Sequence, residues 1–196
     1  MSKEFFDAIR SGDRDKVSAL LAADAALLGA KDENGLNPYV AAKYSGRNEM
    51  AALLLERGVE LDIFAACMAG AEQRVVELVR GRGELVNGYS HDGWTPLHLA
   101  CFFGNPGVAE ALLAYGADVH ARSRNPMQNT PLHAAAGGRS RDAVRALIEH
   151  GGSGGRRTQD GERDTRIRGI DPKALDFPRS GRHVCLPSLS AIGGNV

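Results

Sequence analysis

The 196-residue sequence predicts an all-α solenoid of stacked helix–turn–helix units, and three observations carry that prediction. The word Thr95-Pro96-Leu97-His98 returns as Thr130-Pro131-Leu132-His133, 35 residues later, with a similar apolar pattern behind each copy. A glycine followed by apolar residues five, eight and nine positions on recurs along the chain: Gly12 leads to Val17, Leu20 and Leu21, Gly46 to Ala51, Leu54 and Leu55, Gly70 to Val75, Leu78 and Val79, and Gly104 to Ala109, Leu112 and Leu113. Arg139 takes the glycine place before Val144, Leu147 and Ile148, so the intervals are 34, 24, 34 and 35 residues. Finally, each expected helix has only two or three turns, too short to persist alone in water, so its apolar face must pack on a neighbouring unit.

Taken in order, each unit shows the local chemistry of a helix pair. Thr95 and Thr130 supply hydroxyls for an N-cap, and Pro96 and Pro131 suit the first helical position, which needs no N–H. Asn37-Pro38 does the same for the second unit, while Asp13, Asn105 and Ser140 stand where second helices begin. Asn34-Gly35 and Asp92-Gly93 are turn signals just ahead of first helices. Before the fifth unit the turn segment Ala121–Asn129 is two residues longer and has no glycine. Between the second and third units the 24-residue interval omits such a turn, Asp62 is left to cap the next helix directly, and a local change of twist is expected.

The T-P-L-H word and the period resemble the ankyrin repeat. The resemblance covers units at approximately 4–33, 34–62, 63–92, 93–126 and 127–151. It implies a binding scaffold with finger-like turns, in which His98 and His133 tie finger to helix with help from the preceding threonine. It also implies that the two residues before each inter-helix glycine face a concave groove: Arg10-Ser11, Tyr44-Ser45, Met68-Ala69, Phe102-Phe103 and Gly137-Gly138. Tyr44, Met68, Phe102 and Phe103 then form an apolar stripe that Trp94, the single tryptophan, continues onto a finger. Aromatic residues and methionine are enriched at interfaces, so these five are the expected partner-binding residues. The competing readings are that Phe103 packs on the adjacent repeat, or that the C-terminal segment folds over the stripe.

Residues 152–196 break the pattern, with eight glycines, seven arginines and three prolines in 45 residues. Such a segment reads as a decayed repeat, as an abnormal C-terminus or as the product of a frame error, and its composition predicts disorder. Sixteen basic and nineteen acidic groups remain in the repeats once its eight and five are set aside. That balance argues against a basic nucleic-acid surface, and leaves a nucleic-acid role only to the arginine-rich end.

Function classes fall away in turn. No apolar run reaches the ~18 residues that cross a bilayer, and the first residues have no apolar signal-peptide core, so a cytoplasmic location is expected. Cys67, Cys101 and Cys185 have no metal-like spacing, and Cys67 and Cys101 fall at one helix position in adjacent units, too far apart for a disulfide. No nucleophile elbow, phosphate loop or zinc-protease motif is present. The expectation is a non-catalytic scaffold without cofactor or metal, monomeric when unbound, whose partner is an unidentified protein. The alternatives are a degenerate copy without a binding role of its own, and a nucleic-acid-associated factor acting through the arginine-rich end.

Overall fold

The computed structural model describes residues 1–151. The tail readings and Cys185 therefore lie outside the described residues. Ten α-helices pair into five units in chain order: α1 (Ser2–Ser11) with α2 (Arg14–Ala23), α3 (Pro38–Tyr44) with α4 (Asn48–Glu56), α5 (Ile63–Ala69) with α6 (Glu72–Gly81), α7 (Pro96–Phe102) with α8 (Pro106–Ala114), and α9 (Pro131–Gly137) with α10 (Arg141–Glu149). The first helices stack as a continuous inner row, α1 on α3, α3 on α5, α5 on α7 and α7 on α9. In the outer row α6 packs on α8 and α8 on α10. The result is the all-α solenoid that the repeated pattern predicts.

Local chemistry sets the helix starts. Asp13, Asn37, Asp62 and Ser140 each accept the backbone N–H three residues on, at 3.0, 2.8, 2.8 and 3.3 Å. Each bond satisfies one of the donors a helix N-terminus leaves open. Between the paired helices the chain turns through the left-handed region: Gly12, Gly46, Gly70 and Gly104 have φ of 85°, 68°, 73° and 75°, and Arg139 keeps that conformation at 56°. The fifth unit thus retains the turn without the glycine that makes it easy.

Two short 3-10 turns, Ala25–Gly29 and Gly83–Asn87, were not read from the sequence. They fill the long connections ahead of the first two fingers, and bury Leu27 and Val86 beneath them. Each finger is a tight reversal: Asp32 N–H donates to the Leu36 carbonyl at 3.0 Å, Ser90 to Trp94 at 2.8 Å, and Ser123 to Asn129 at 2.8 Å. The last spans two more residues, as its sequence predicts. Fingers also meet edge to edge, where Arg124 N–H donates to the Gly93 carbonyl at 2.8 Å. A Cβ on Gly93 would lie 2.9 Å from the Arg124 carbonyl carbon, so this glycine permits both the turn and the contact.

One expected cap is corrected. Asn105 begins α8 without capping it by its side chain. Its amide instead donates to the Cys67 and Met68 carbonyls, at 2.8 and 3.2 Å. The last carbonyls of α5 have no helical partner of their own, and an amide from the next unit satisfies them. Asn87 makes a second clamp between units, donating to the Gly116 carbonyl at 3.1 Å and accepting the Asp118 N–H at 2.8 Å.

Candidate functional site

The Thr-Pro-Leu-His words build polar joints rather than reactive centres. His98 is sealed, and its Nε2 lies 2.8 Å from the Asn129 carbonyl in the next finger. A carbonyl only accepts, so Nε2 carries the proton and Nδ1 must accept. Nδ1 takes the Thr95 hydroxyl at 2.7 Å and faces the Thr95 N–H at 3.3 Å. Burial pulls His98 below the ordinary imidazole value, partly offset by its bond to Asn129, which keeps the ring neutral at pH 7. Thr130 and His133 repeat the inner half of the joint, with Oγ1 and Nδ1 2.8 Å apart, but His133 is exposed. Pro96, Leu97, Pro131 and Leu132 complete the two words as buried residues.

The proposed apolar stripe is partly a core. Met68 is 2% exposed and Trp94 6%, so neither presents a surface, and both expectations are corrected. Met68 is one of the buried residues of α5 and belongs to the continuous core. The Trp94 ring stands edge-on to Phe102 at 5.2 Å between centroids and tilts against His98 at 5.8 Å. Among the described residues its buried indole N–H has no acceptor, so aromatic packing fixes the ring. Phe102 is half-buried and faces Gly137 of the next unit, so it too has a packing role.

What remains on the inner face lies over the third unit. Phe103 is half-buried, edge-on to Phe102 at 5.4 Å, with the Lys43 Nζ 5.1 Å from its ring centroid. Tyr44, also half-buried, donates its hydroxyl to Asp92 Oδ2 at 2.6 Å, and the Ser90 hydroxyl holds the other oxygen of that carboxylate. Burial, and then the charge of Asp92, push the Tyr44 phenol far above its ordinary range. The contact of Lys43 with Phe103 joins the second unit to the fourth, and that of Tyr44 with Asp92 joins the second unit to the finger that precedes α7. Between them α5 offers the small Ala69 where the fourth unit has Phe103. The Lys43–Phe103 contact thus reaches across the third unit.

Lys43 was not singled out from the sequence, although a signal existed. The third residue before the inter-helix turn is Ile9, Cys67, Cys101 and Ala136 in the other units, and a lysine among them is out of pattern. Its ammonium donates to Asn48 Oδ1 at 3.1 Å, and burial lowers its pKa.

Reactive chemistry finds little support in this arrangement. Cys67 and Cys101 are buried free thiols; burial pushes Cys101 up to about 12 and raises Cys67 as well, which suppresses the nucleophilic thiolate. Among the described residues no three His, Cys, Asp or Glu side chains converge as metal ligands, and no helix is long and apolar enough to cross a membrane.

Known proteins share the repeat. A family model described as ankyrin repeats in three copies matches residues 63–158. Protein phosphatase 1 regulatory subunit 27 of Mus musculus is 31% identical over 114 residues, 58% of each chain. Transient receptor potential cation channel subfamily A member 1 of Homo sapiens is 30% identical over 118 residues, 54% of this chain and 10% of the relative. Serine/threonine-protein kinase VIK of Arabidopsis thaliana is 43% identical over 68 residues, 35% of this chain and 15% of the relative. The chain thus spans between a tenth and three fifths of these relatives' lengths, and what it shares with them is the repeat. The paired helices, the left-handed turns, the Thr-Pro-Leu-His joints and the matched segment agree: this chain is an ankyrin-repeat protein.

Proposed function

We propose that the protein is a non-catalytic scaffold that binds a protein partner through its concave face and fingers, as a monomer in the cytoplasm. Ankyrin repeats are generally modules for protein–protein interaction. The observation that carries the finer reading is the half-buried Lys43, Tyr44 and Phe103 on one inner face. Aromatic side chains that remain partly open beside a cation resemble the anchors of protein interfaces, where a few central residues supply most of the affinity.

The burial of Trp94 and Met68 fixes which variant tests this reading. Phe103→Ser removes an open aromatic ring, whereas changing Trp94 would disturb the core. Affinity capture from the native cell should recover a protein with the wild-type chain, and Phe103→Ser should lose it while keeping its helical circular dichroism. A truncation (a copy without residues 152–196) should still bind. Normal capture by Phe103→Ser, together with loss on truncation, would transfer the function to the arginine-rich end.

A further inference from the structure

Lys43 occupies a register that three of the other four units give to the core. The matching Ile9, Cys67 and Cys101 are fully buried. In the second unit the same position carries an ammonium, half-buried against Phe103, and among the described residues it enters no ion pair. One of its three donors is used by the neutral Asn48 amide oxygen. The acid that meets the adjacent Tyr44 is engaged, Asp92 accepting from the Tyr44 and Ser90 hydroxyls. A half-buried cation with donors to spare is stabilised by an anion, and Phe103 beside it offers an apolar ledge.

We propose that the concave face over the third unit receives an acidic segment of a partner protein, with an aspartate or glutamate carboxylate on the Lys43 ammonium and the adjoining apolar side chain on Phe103. This rests on the reading of the concave face as the binding surface, and adds the chemistry of what binds there. A carboxylate suits the ammonium because the cation–π contact with Phe103 leaves the charge undiminished and the remaining donors unfilled. A basic segment is repelled at the same point, so Lys43 selects partners as well as holding them.

The test uses the full chain and a phage-displayed library of random dodecapeptides, followed by titration of the selected peptides in fluorescein-labelled form. Enriched sequences should pair Asp or Glu with a neighbouring apolar residue. Lys43→Met, which keeps the stem over Phe103, should weaken them about ten- to a hundredfold, as expected for a hydrogen-bonded charge. Lys43→Glu should turn the selection toward Lys and Arg, with thermal melts showing both variants folded. Peptides that lack acids, or that depend on Phe103 and ignore Lys43→Met, would overturn the acidic partner while leaving the groove in place. Selection indifferent to both positions, or none at all, would overturn the groove and this proposal with it. Sedimentation showing a wild-type dimer that Lys43→Glu dissolves would assign the face to a second copy and overturn the partner. Displacement of the selected peptides by a synthetic peptide of residues 152–196 would overturn it in favour of the chain itself.

Discussion

Gly137 and Gly138 are neighbours in sequence and should respond oppositely to alanine. Gly138 has φ −77° and ψ −5°, a conformation any residue adopts, so only space decides its substitution. A Cβ there would lie 1.9 Å from the Phe102 carbonyl oxygen and 2.8 Å from the Phe102 Cα, both backbone atoms. Relieving the contact to an ordinary carbon–oxygen separation of about 3.3 Å requires α9 to lift from α7 by roughly 1.4 Å. Such overpacking costs ~1–3 kcal/mol, and here it strikes the joint that holds the last described unit to the stack. At Gly137 the nearest atom to a new Cβ is Phe102 Cε2 at 3.7 Å, an ordinary contact, and the residue ends a helix. Gly137→Ala should therefore stabilise by about 0.5–1 kcal/mol through the unfolded chain. Urea unfolding followed at 222 nm measures both changes. Hydrogen exchange of the α9 and α10 amides localises the loss, because a solenoid transmits strain mainly to adjacent units. A neutral or stabilising Gly138→Ala would refute the close seating of α9 on the carbonyl of Phe102.

Two more perturbations probe the joints between units. Tyr44→Phe removes the hydroxyl that spans from the second unit to Asp92, and should cost about 1–2 kcal/mol; a melt identical to wild type would mean that this bridge contributes nothing. His98 is held neutral by burial, with its folded pKa below the unfolded value of about 6.5, so the unfolded state takes up the proton first. Its contribution to stability is full above that pH and falls away as the pH drops toward the lower folded value; His98→Gln, weaker throughout, should flatten the slope of stability between pH 7.5 and 5.5, and an unchanged slope would refute the assignment.

Local features were legible because their causes are local. Asp13, Asn37, Asp62 and Ser140 reach an N–H three residues away, so the sequence contains both partners of each cap. The positive φ of Arg139 followed from its place in the glycine register. Asn105 misled because its acceptors, the Cys67 and Met68 carbonyls, belong to another unit, and that longer-range pairing prevailed over the cap. The 3-10 turns escaped because five-residue segments carry too little periodicity to announce themselves.

At the candidate site the division is sharper. Phe102 and Phe103 are adjacent letters, yet one faces Gly137 of the fifth unit and the other meets Lys43 of the second. Trp94 reads as an exposed finger aromatic until Phe102 and His98 are placed around it. Lys43 was visible as an exception to its register, but its meaning depends on Phe103, sixty positions away in the sequence.

By itself, then, the sequence determined the repeat, the order of its helix pairs, most of their caps and the absence of a finger before the third unit. Those properties depend on hydrogen bonds and apolar spacings contained within single units. Only the tertiary structure decided which inward aromatics are buried, and that the second and fourth units meet across the third. The reason is geometric: on the concave side, exposure depends on how closely non-adjacent units approach, and here Lys43 reaches Phe103 across a third unit that carries Ala69 where the fourth carries Phe103.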